Sequence, residues 1–327
     1  MNFVEKAVSF GGKLAPLVIP HGLTNGTGLM NPSVFVNDNN EILVNLRHVN
    51  YTLYHSENKQ LFPSCWGPLA YLHPEKDMRL VTENYLCKLN NDLEITNFCK
   101  VEMQNLHDPI WEFVGLEDAR LVYWDKKYWL IGVRRDTTVN GQGRMEYSEI
   151  ELFEKDWKAI EIYRHRIPTP EPDTSYCEKN WIPILDKPFH FIKWSNPTEI
   201  VYANPYSDTN QICVVAHNYQ IPDQRGSSQA FRYKDHYVAI THEVNLFFNY
   251  LNQKDAIYRH RFLVWDNDWN LVKTSEPFSF LDANIEFCVG AAFHNDNLLV
   301  SFSIQDNAAF LLSVPIEFLE KEFESWN

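Results

Sequence analysis

Short apolar runs separated by polar turns make up almost the whole chain. Pro32–Val36, Glu41–Leu46, Arg120–Trp124, Tyr128–Val133, Phe189–Trp194, His236–Thr241 and Leu298–Phe302 are short and rich in β-branched and aromatic residues. That composition suits strands better than helices. The breaks carry explicit turn chemistry, as at Asn37–Asn40, Trp124–Lys127, Asn140–Gly143 and His294–Asn297, where Asn, Asp and Gly tolerate the backbone that turns require. Helical spacing shows clearly only at the C-terminus. There Pro315 opens a segment in which Ile316, Leu319 and Phe323 share a face. The pattern predicts an all-β protein with a short C-terminal helix, as a sandwich, barrel or propeller.

A weak internal repeat narrows the choice. One unit recurs: a polar cluster, an apolar strand, a turn, then a second strand ending in polar residues. It begins at Asn31-Pro-Ser33, at Glu117-Asp-Ala-Arg120, at Glu178-Lys-Asn-Trp181, at Arg225-Gly-Ser-Ser228 and at Ile285-Glu-Phe287. Each copy leaves room for one or two more strands, which predicts a five-bladed β-propeller with about four antiparallel strands per blade. The last copy runs short of strands, and the stretch around Ala15–Pro20 is expected to supply the missing one. No boundary interrupts residues 1–327, so a single domain is expected; Pro168–Thr174 reads as a loop between the second and third blades. The polar clusters share one phase. In a propeller they converge on one end of the central axis, together with the strand ends Arg47, His242, Glu243 and Asp306.

Composition removes several functional classes. The 327 residues carry a net charge of −14, dispersed along the chain, which disfavours a nucleic-acid partner. No apolar run approaches the ~20 residues of a membrane helix, and the first residues lack the pattern of a signal peptide. The six cysteines form no CxxC and no zinc spacing, so free, buried thiols in a reducing cytoplasm are expected. No metal site is expected. Aromatics reach 14%, which suits strand packing and also sugar stacking.

Against this background, Gly115-Leu-Glu-Asp-Ala-Arg120 resembles the Glu-Asp-Pro-Arg motif of glycoside hydrolase family 130, the inverting β-mannoside phosphorylases and hydrolases built on a five-bladed propeller. Asn31-Pro-Ser33 with Arg47, Ser303-Ile-Gln-Asp306, Glu178-Lys-Asn-Trp181 and the His242 strand end fit the same layout. Ala119 stands where the family has proline. Related propellers occur among mannosyltransferases and attached to bacterial glycosyltransferases, which the stretches Arg225–Ser228 and Tyr258–Arg261 resemble.

The resemblance implies that Asp118 is the proton donor, with the proton passing through a sugar hydroxyl. It implies that Asn31, Ser33, Arg47, Glu117, Arg120, Lys179 and Asp306 bind the sugar. Inorganic phosphate or a nucleotide sugar would be the co-substrate, with no other cofactor. Cationic and polar candidates for its phosphate are Arg134, Arg135, Arg225, His242, Tyr258, His260 and Arg261. Strand alternation allows either Tyr258 and His260, or Arg259 and Arg261, to face the pocket. The expected partner is a sugar or oligosaccharide. Two other readings stand beside this one. One is a non-catalytic glycan-binding propeller associated with a glycosyltransferase. The other is an inverting hydrolase with Glu243 or Glu286 as base, since such enzymes need a second carboxylate.

Overall fold

The computed structural model describes residues 1–24, 27–54, 61–62, 70–72, 79–169, 175–216, 221–250, 252 and 254–326. Cys65 and most of the loop Pro168–Thr174 lie outside them. Apart from a small sheet of Thr52–Tyr54, Ala70–Leu72 and Leu61–Phe62 and a short parallel pairing of Phe113–Val114 with Leu80–Val81, the described strands form five four-stranded antiparallel units in chain order. The first is Leu29–Val36, Ile42–Val49, Leu80–Leu89 and Ile95–Glu102; the second is Glu117–Trp124, Lys127–Arg134, Arg144–Phe153 and Lys158–Arg166. A short parallel pairing of Ala159 and Ile160 with Val101 and Glu102 joins their last strands. The third unit is Ile182–Pro183, His190–Ser195, Thr198–Ala203 and Asn210–Ala216. In the fourth, Arg225–Gly226 and Phe231–Tyr233 pair in turn with His236–Phe248, followed by Lys254–Trp265 and Leu271–Thr274. The fifth is Glu286–His294, Asn297–Ile304 and Ala308–Pro315. The N-terminal strand Lys13–Pro16 completes it, pairing antiparallel with Ala308–Pro315 from Lys13↔Ser313 to Pro16↔Phe310.

The hydrophobic core explains why the strands read as continuous apolar runs. Side chains alternate faces along a strand, and here both faces are buried. Val34 packs with Leu299 and Leu311 of the fifth unit, while its neighbour Phe35 packs with Leu121 and Leu130 of the second. The same holds around the molecule. Trp124, Trp129 and Tyr147 of the second unit meet Phe189 and Phe191 of the third. Ile192 and Ile200 of the third meet Tyr237, Leu263 and Trp265 of the fourth. Val238, Ile240 and Phe262 of the fourth meet Val300, Phe302 and Leu312 of the fifth. Each unit therefore packs on the next, and the fifth packs on the first.

Polar groups tie the centre. The fully buried Gln229 donates through Nε2 to Ser33 Oγ at 3.1 Å, to the Val34 carbonyl at 3.2 Å and to the Leu121 carbonyl at 2.9 Å. Its Oε1 accepts from the Ala291 amide at 3.1 Å. One side chain thus satisfies strands of the first, second and fifth units in a region that water does not reach.

Two helices flank the junction of the fourth and fifth units. Ile316–Ser325 begins after Pro315 and buries Phe318, Leu319 and Phe323, whereas Ile316 is only partly covered. The helix Phe3–Ser9 was not apparent from periodicity because it is so short. Its signal is the capping box, in which Asn2 accepts from the Glu5 amide and Glu5 accepts from the Asn2 amide. The cysteine expectation needs one correction. Cys87 and Cys288 are buried, and burial pushes the Cys288 thiol up to about 12, but Cys213 is exposed on the outermost strand of the third unit. Among the described residues no helix is long and apolar enough to cross a membrane.

Candidate active site

A polar cavity of about 330 Å³ receives side chains from all five units. Its floor is built by the first strands of the first two. Each carries a β-bulge at its polar cluster, between Met30 and Ser33 and between Glu117 and Arg120. Asn31 and Asp118 sit within these bulges at φ 45° and 51°, a left-handed conformation that Asn and Asp tolerate better than most residues. A bulge re-aims side chains that a regular strand would send elsewhere.

Asp118, only 8% exposed, is held from two sides. Arg47 Nη1 donates to its Oδ1 at 2.6 Å, and Asn31 Nδ2 donates to the same oxygen at 2.6 Å. Ser303 Oγ donates to Asn31 Oδ1 at 2.5 Å and so orients that amide. Arg120 lies beneath, donating to the backbone carbonyls of Asp118 at 2.7 Å and Ser227 at 3.0 Å, with its guanidinium over the Phe287 ring. Burial works to raise the Asp118 carboxyl, but Arg47, Lys179, Arg120 and the Asn31 hydrogen bond outweigh it and hold the group below its ordinary value. Glu117 is engaged by two arginines, Arg47 and Arg135, each at 3.7 Å.

Asp306 is the opposite case. It sits at φ 48° in the turn after Asn297–Ile304 and projects into the same cavity. Burial raises its carboxyl to about 6; Arg47 and Lys179 oppose the shift, while Asp118 and Glu117 add to it. Two carboxyl groups in one pocket are thus pushed apart, Asp118 toward the charged form and Asp306 toward the protonated one.

Besides Arg47, the cavity is lined by three further cationic side chains, Lys179, Arg225 and Arg135. No ion pair or hydrogen bond engages the exposed Lys179 ammonium among the described residues. Arg225 makes only a loose, exposed pair with Asp223 at 3.7 Å. Tyr258 and His242 stack beside them with ring centroids 5.4 Å apart. Burial, then Asp306 and Asp118, raises the Tyr258 hydroxyl, which keeps it a donor. Burial, then His260 and Lys179, keeps His242 well below the ordinary histidine range. His242 is therefore neutral, with Nδ1 2.7 Å from Ser227 Oγ.

Of the residues singled out in the sequence, Asn31, Arg47, Glu117, Asp118, Arg135, Lys179, Arg225, His242, Tyr258 and Asp306 line the cavity. Others do not reach it. Ser33 is buried on the axis, bonded to the Leu121 amide and Gln229. Arg120 supports the floor from below. Arg134 is spent on Glu146 at 2.9 Å and Asp136 at 3.2 Å. His260 is fully buried, deeper along the strand than Tyr258. Arg261 points to the other face, donating to the Ser275 carbonyl at 2.9 Å. The alternation at Tyr258–Arg261 thus resolves in favour of Tyr258, while Arg259 lines a separate cavity by the N-terminal helix.

Neither proposed base lies at the site. Glu243 accepts from Gln224 at 3.1 Å, and the fully buried Glu286 accepts from the backbone amides of Phe280, Leu281 and Ala283, bracing a loop. The sequence reading missed Tyr51, Trp111, Phe113, Tyr176, Asn180, Val244, Leu246, Ala256 and Phe287 in the cavity wall. Asn180 lay within a flagged cluster, and Val244 and Leu246 continue the alternation that starts at His242. Trp111 and Tyr176 come from loops, where no pattern marks them.

No protein-family model matches the sequence, and no curated protein matches it. Solved structures do. The chain is similar to β-1,2-mannobiose phosphorylase from Listeria innocua, at 14% identity and a TM-score of 0.54, over 95% of this chain and 97% of that one. It is similar to MPT-1, a GDP-Man-dependent mannosyltransferase from Leishmania mexicana, at 11% identity and a TM-score of 0.53, over 96% and 95%. A glycosyl hydrolase from Bacteroides ovatus aligns at 10% identity and a TM-score of 0.59, over 89% and 85%. The chain shares the fold of mannoside phosphorylases and related mannosyltransferases.

Proposed function

We propose that the protein is a five-bladed β-propeller enzyme that transfers a mannosyl or similar sugar from a phosphate-bearing donor to an acceptor hydroxyl, with inversion. The observation that carries this reading is one cavity that holds both an Asp118 carboxylate fixed by Arg47 and Asn31 and the cations Lys179, Arg225 and Arg135. The five interlocking units and the neighbours of the same fold support it.

The charge state of Asp118 suits it to act as a base in the transfer direction. A carboxylate already ionised accepts a proton, so Asp118 acts as general base toward the acceptor hydroxyl, directly or through a hydroxyl of the donor sugar. The acceptor oxygen forms its bond to the anomeric carbon as the bond from that carbon to the phosphate oxygen breaks. The electron pair leaves with the phosphate, onto Lys179 and Arg225, and the acceptor proton ends on Asp118. Phosphorolysis is the reverse of the same step with Asp118 as proton donor. Tyr258 and Asp306 hold donor hydroxyls. Glu243 and Glu286 lie outside the cavity, so the hydrolytic route through either lacks support.

The test is ligand stabilisation followed by turnover. Mannose 1-phosphate or GDP-mannose at about 100 times its Kd adds ~2.7 kcal/mol to stability, and free phosphate competes. No thermal shift with either donor, and none with β-mannosides, overturns the proposal.

A further inference from the structure

One residue outside the cavity fastens a piece of its wall at both ends. Trp111 and Phe113 line the cavity from the segment 110–115. At one end of this segment the Ile110 amide donates to the Asp136 carbonyl at 2.8 Å. At the other end the Gly115 amide donates to Asp136 Oδ2, also at 2.8 Å. The middle is tied to the first unit instead. There the Leu80 amide donates to the Glu112 carbonyl at 2.8 Å, and Phe113–Val114 pairs with Leu80–Val81. Asp136 lies just past the end of Lys127–Arg134 and so bridges this wall to the second unit. The strand that carries Glu117 and Asp118 starts just beyond Gly115. No side chain at position 115 can take over the anchoring, because φ there is 104° and a Cβ would lie 2.3 Å from the Thr82 carbonyl oxygen.

Asp136 is buried, and its two oxygens are unequally used. Oδ2 accepts from the Gly115 amide and from Arg134 Nη1 at 3.2 Å, whereas Oδ1 has no hydrogen-bond partner among the described residues. An asparagine would keep both bonds through its single oxygen, with its NH2 group where Oδ1 now lies. Arg134 would keep Glu146 as its counter-charge. The segment therefore needs an acceptor at that place more than it needs a charge. Asp118 is held separately, by Arg47 and Asn31. Loosening the segment thus changes how a substrate is seated while the reacting carboxylate stays in place.

We infer that Asp136 is a positioning residue for substrate binding, which holds the wall of Trp111 and Phe113 in register with the cavity floor. This rests on the reaction proposed above. The experiment is steady-state kinetics of wild type, Asp136→Asn and Asp136→Ala with mannose 1-phosphate or GDP-mannose, with circular dichroism as the check on folding. Asp136→Ala is expected to raise the donor KM at least tenfold with kcat within threefold. Asp136→Asn is expected to keep both within threefold. Where Asp136→Ala does not fold, Asp136→Glu, which displaces the acceptor by one methylene, takes its place with the same expectation. A merely structural role lowers kcat through the active fraction and leaves KM alone. That result overturns the inference, as does an asparagine variant as impaired as the alanine one, or an alanine variant equal to wild type. Each of these leaves the proposed reaction standing. A wild type that turns over neither donor overturns the reaction, and this inference with it.

Discussion

Arg47 reaches from the second strand of the first unit to the carboxylate of Asp118 in the second, and closes the pair at 2.6 Å. Both side chains are almost fully buried. Burial works against the Arg47 charge, but Tyr51, Asp118, Glu117 and Asp306 more than offset it and keep the guanidinium charged. Removing one partner of such a pair leaves an uncompensated buried charge, which costs roughly 3–5 kcal/mol. Arg47→Met is expected to lower stability by that order in denaturant titration. A loss below about 1 kcal/mol would mean that the pair is not buried as described.

Asp306 predicts a pH signature. A carboxyl raised in the folded chain keeps its proton there after the unfolded chain has lost it. Its unfavourable contribution therefore sets in as pH rises from the ordinary aspartate value toward about 6, and it is complete above that. The displacement bounds the effect at about 3 kcal/mol. Asp306→Asn should gain melting temperature relative to wild type between pH 4 and pH 8. A difference independent of pH would contradict the shift.

Gln229 tests the closure of the ring. Its amide serves four groups on three units in a dry centre. Gln229→Ala strands those groups, and each unsatisfied one costs about 1–3 kcal/mol. A loss of roughly 3–5 kcal/mol with an unchanged denaturant slope is expected. Near-neutral behaviour would place water where the structure shows contact.

Much of this was legible in the sequence, for identifiable reasons. Runs such as Ile42–Val49, buried on both faces, and the Asn-rich turns between them exposed the strands. The shared phase of the clusters at Asn31, Glu117, Lys179, Arg225 and Glu286, with the strand ends Arg47, His242, Glu243 and Asp306, exposed the convergence, although Glu286 and Glu243 do not reach the cavity. Phase fixes which face a residue takes but not how deep it sits. His260 lies one step of the alternation below Tyr258 and is sealed in, and Glu286 heads its strand yet turns to bind loop amides. Of the adjacent Arg134 and Arg135, only the second reaches the cavity, because Glu146 and Asp136 claim the first. Trp111 and Tyr176 arrive from loops whose position depends on the assembled ring.

In the proposed reaction Asp118 takes a proton while a phosphate-bearing sugar donor reacts in the same cavity. The direct measurement is product formation by wild type and Asp118→Asn with mannose 1-phosphate or GDP-mannose and a panel of sugar acceptors. The account predicts an inverted glycoside product with release of phosphate or nucleotide. It also predicts a fall in kcat of about 10²–10⁴ for Asp118→Asn, with donor binding retained. No product from any donor, or equal turnover by the variant, would contradict it.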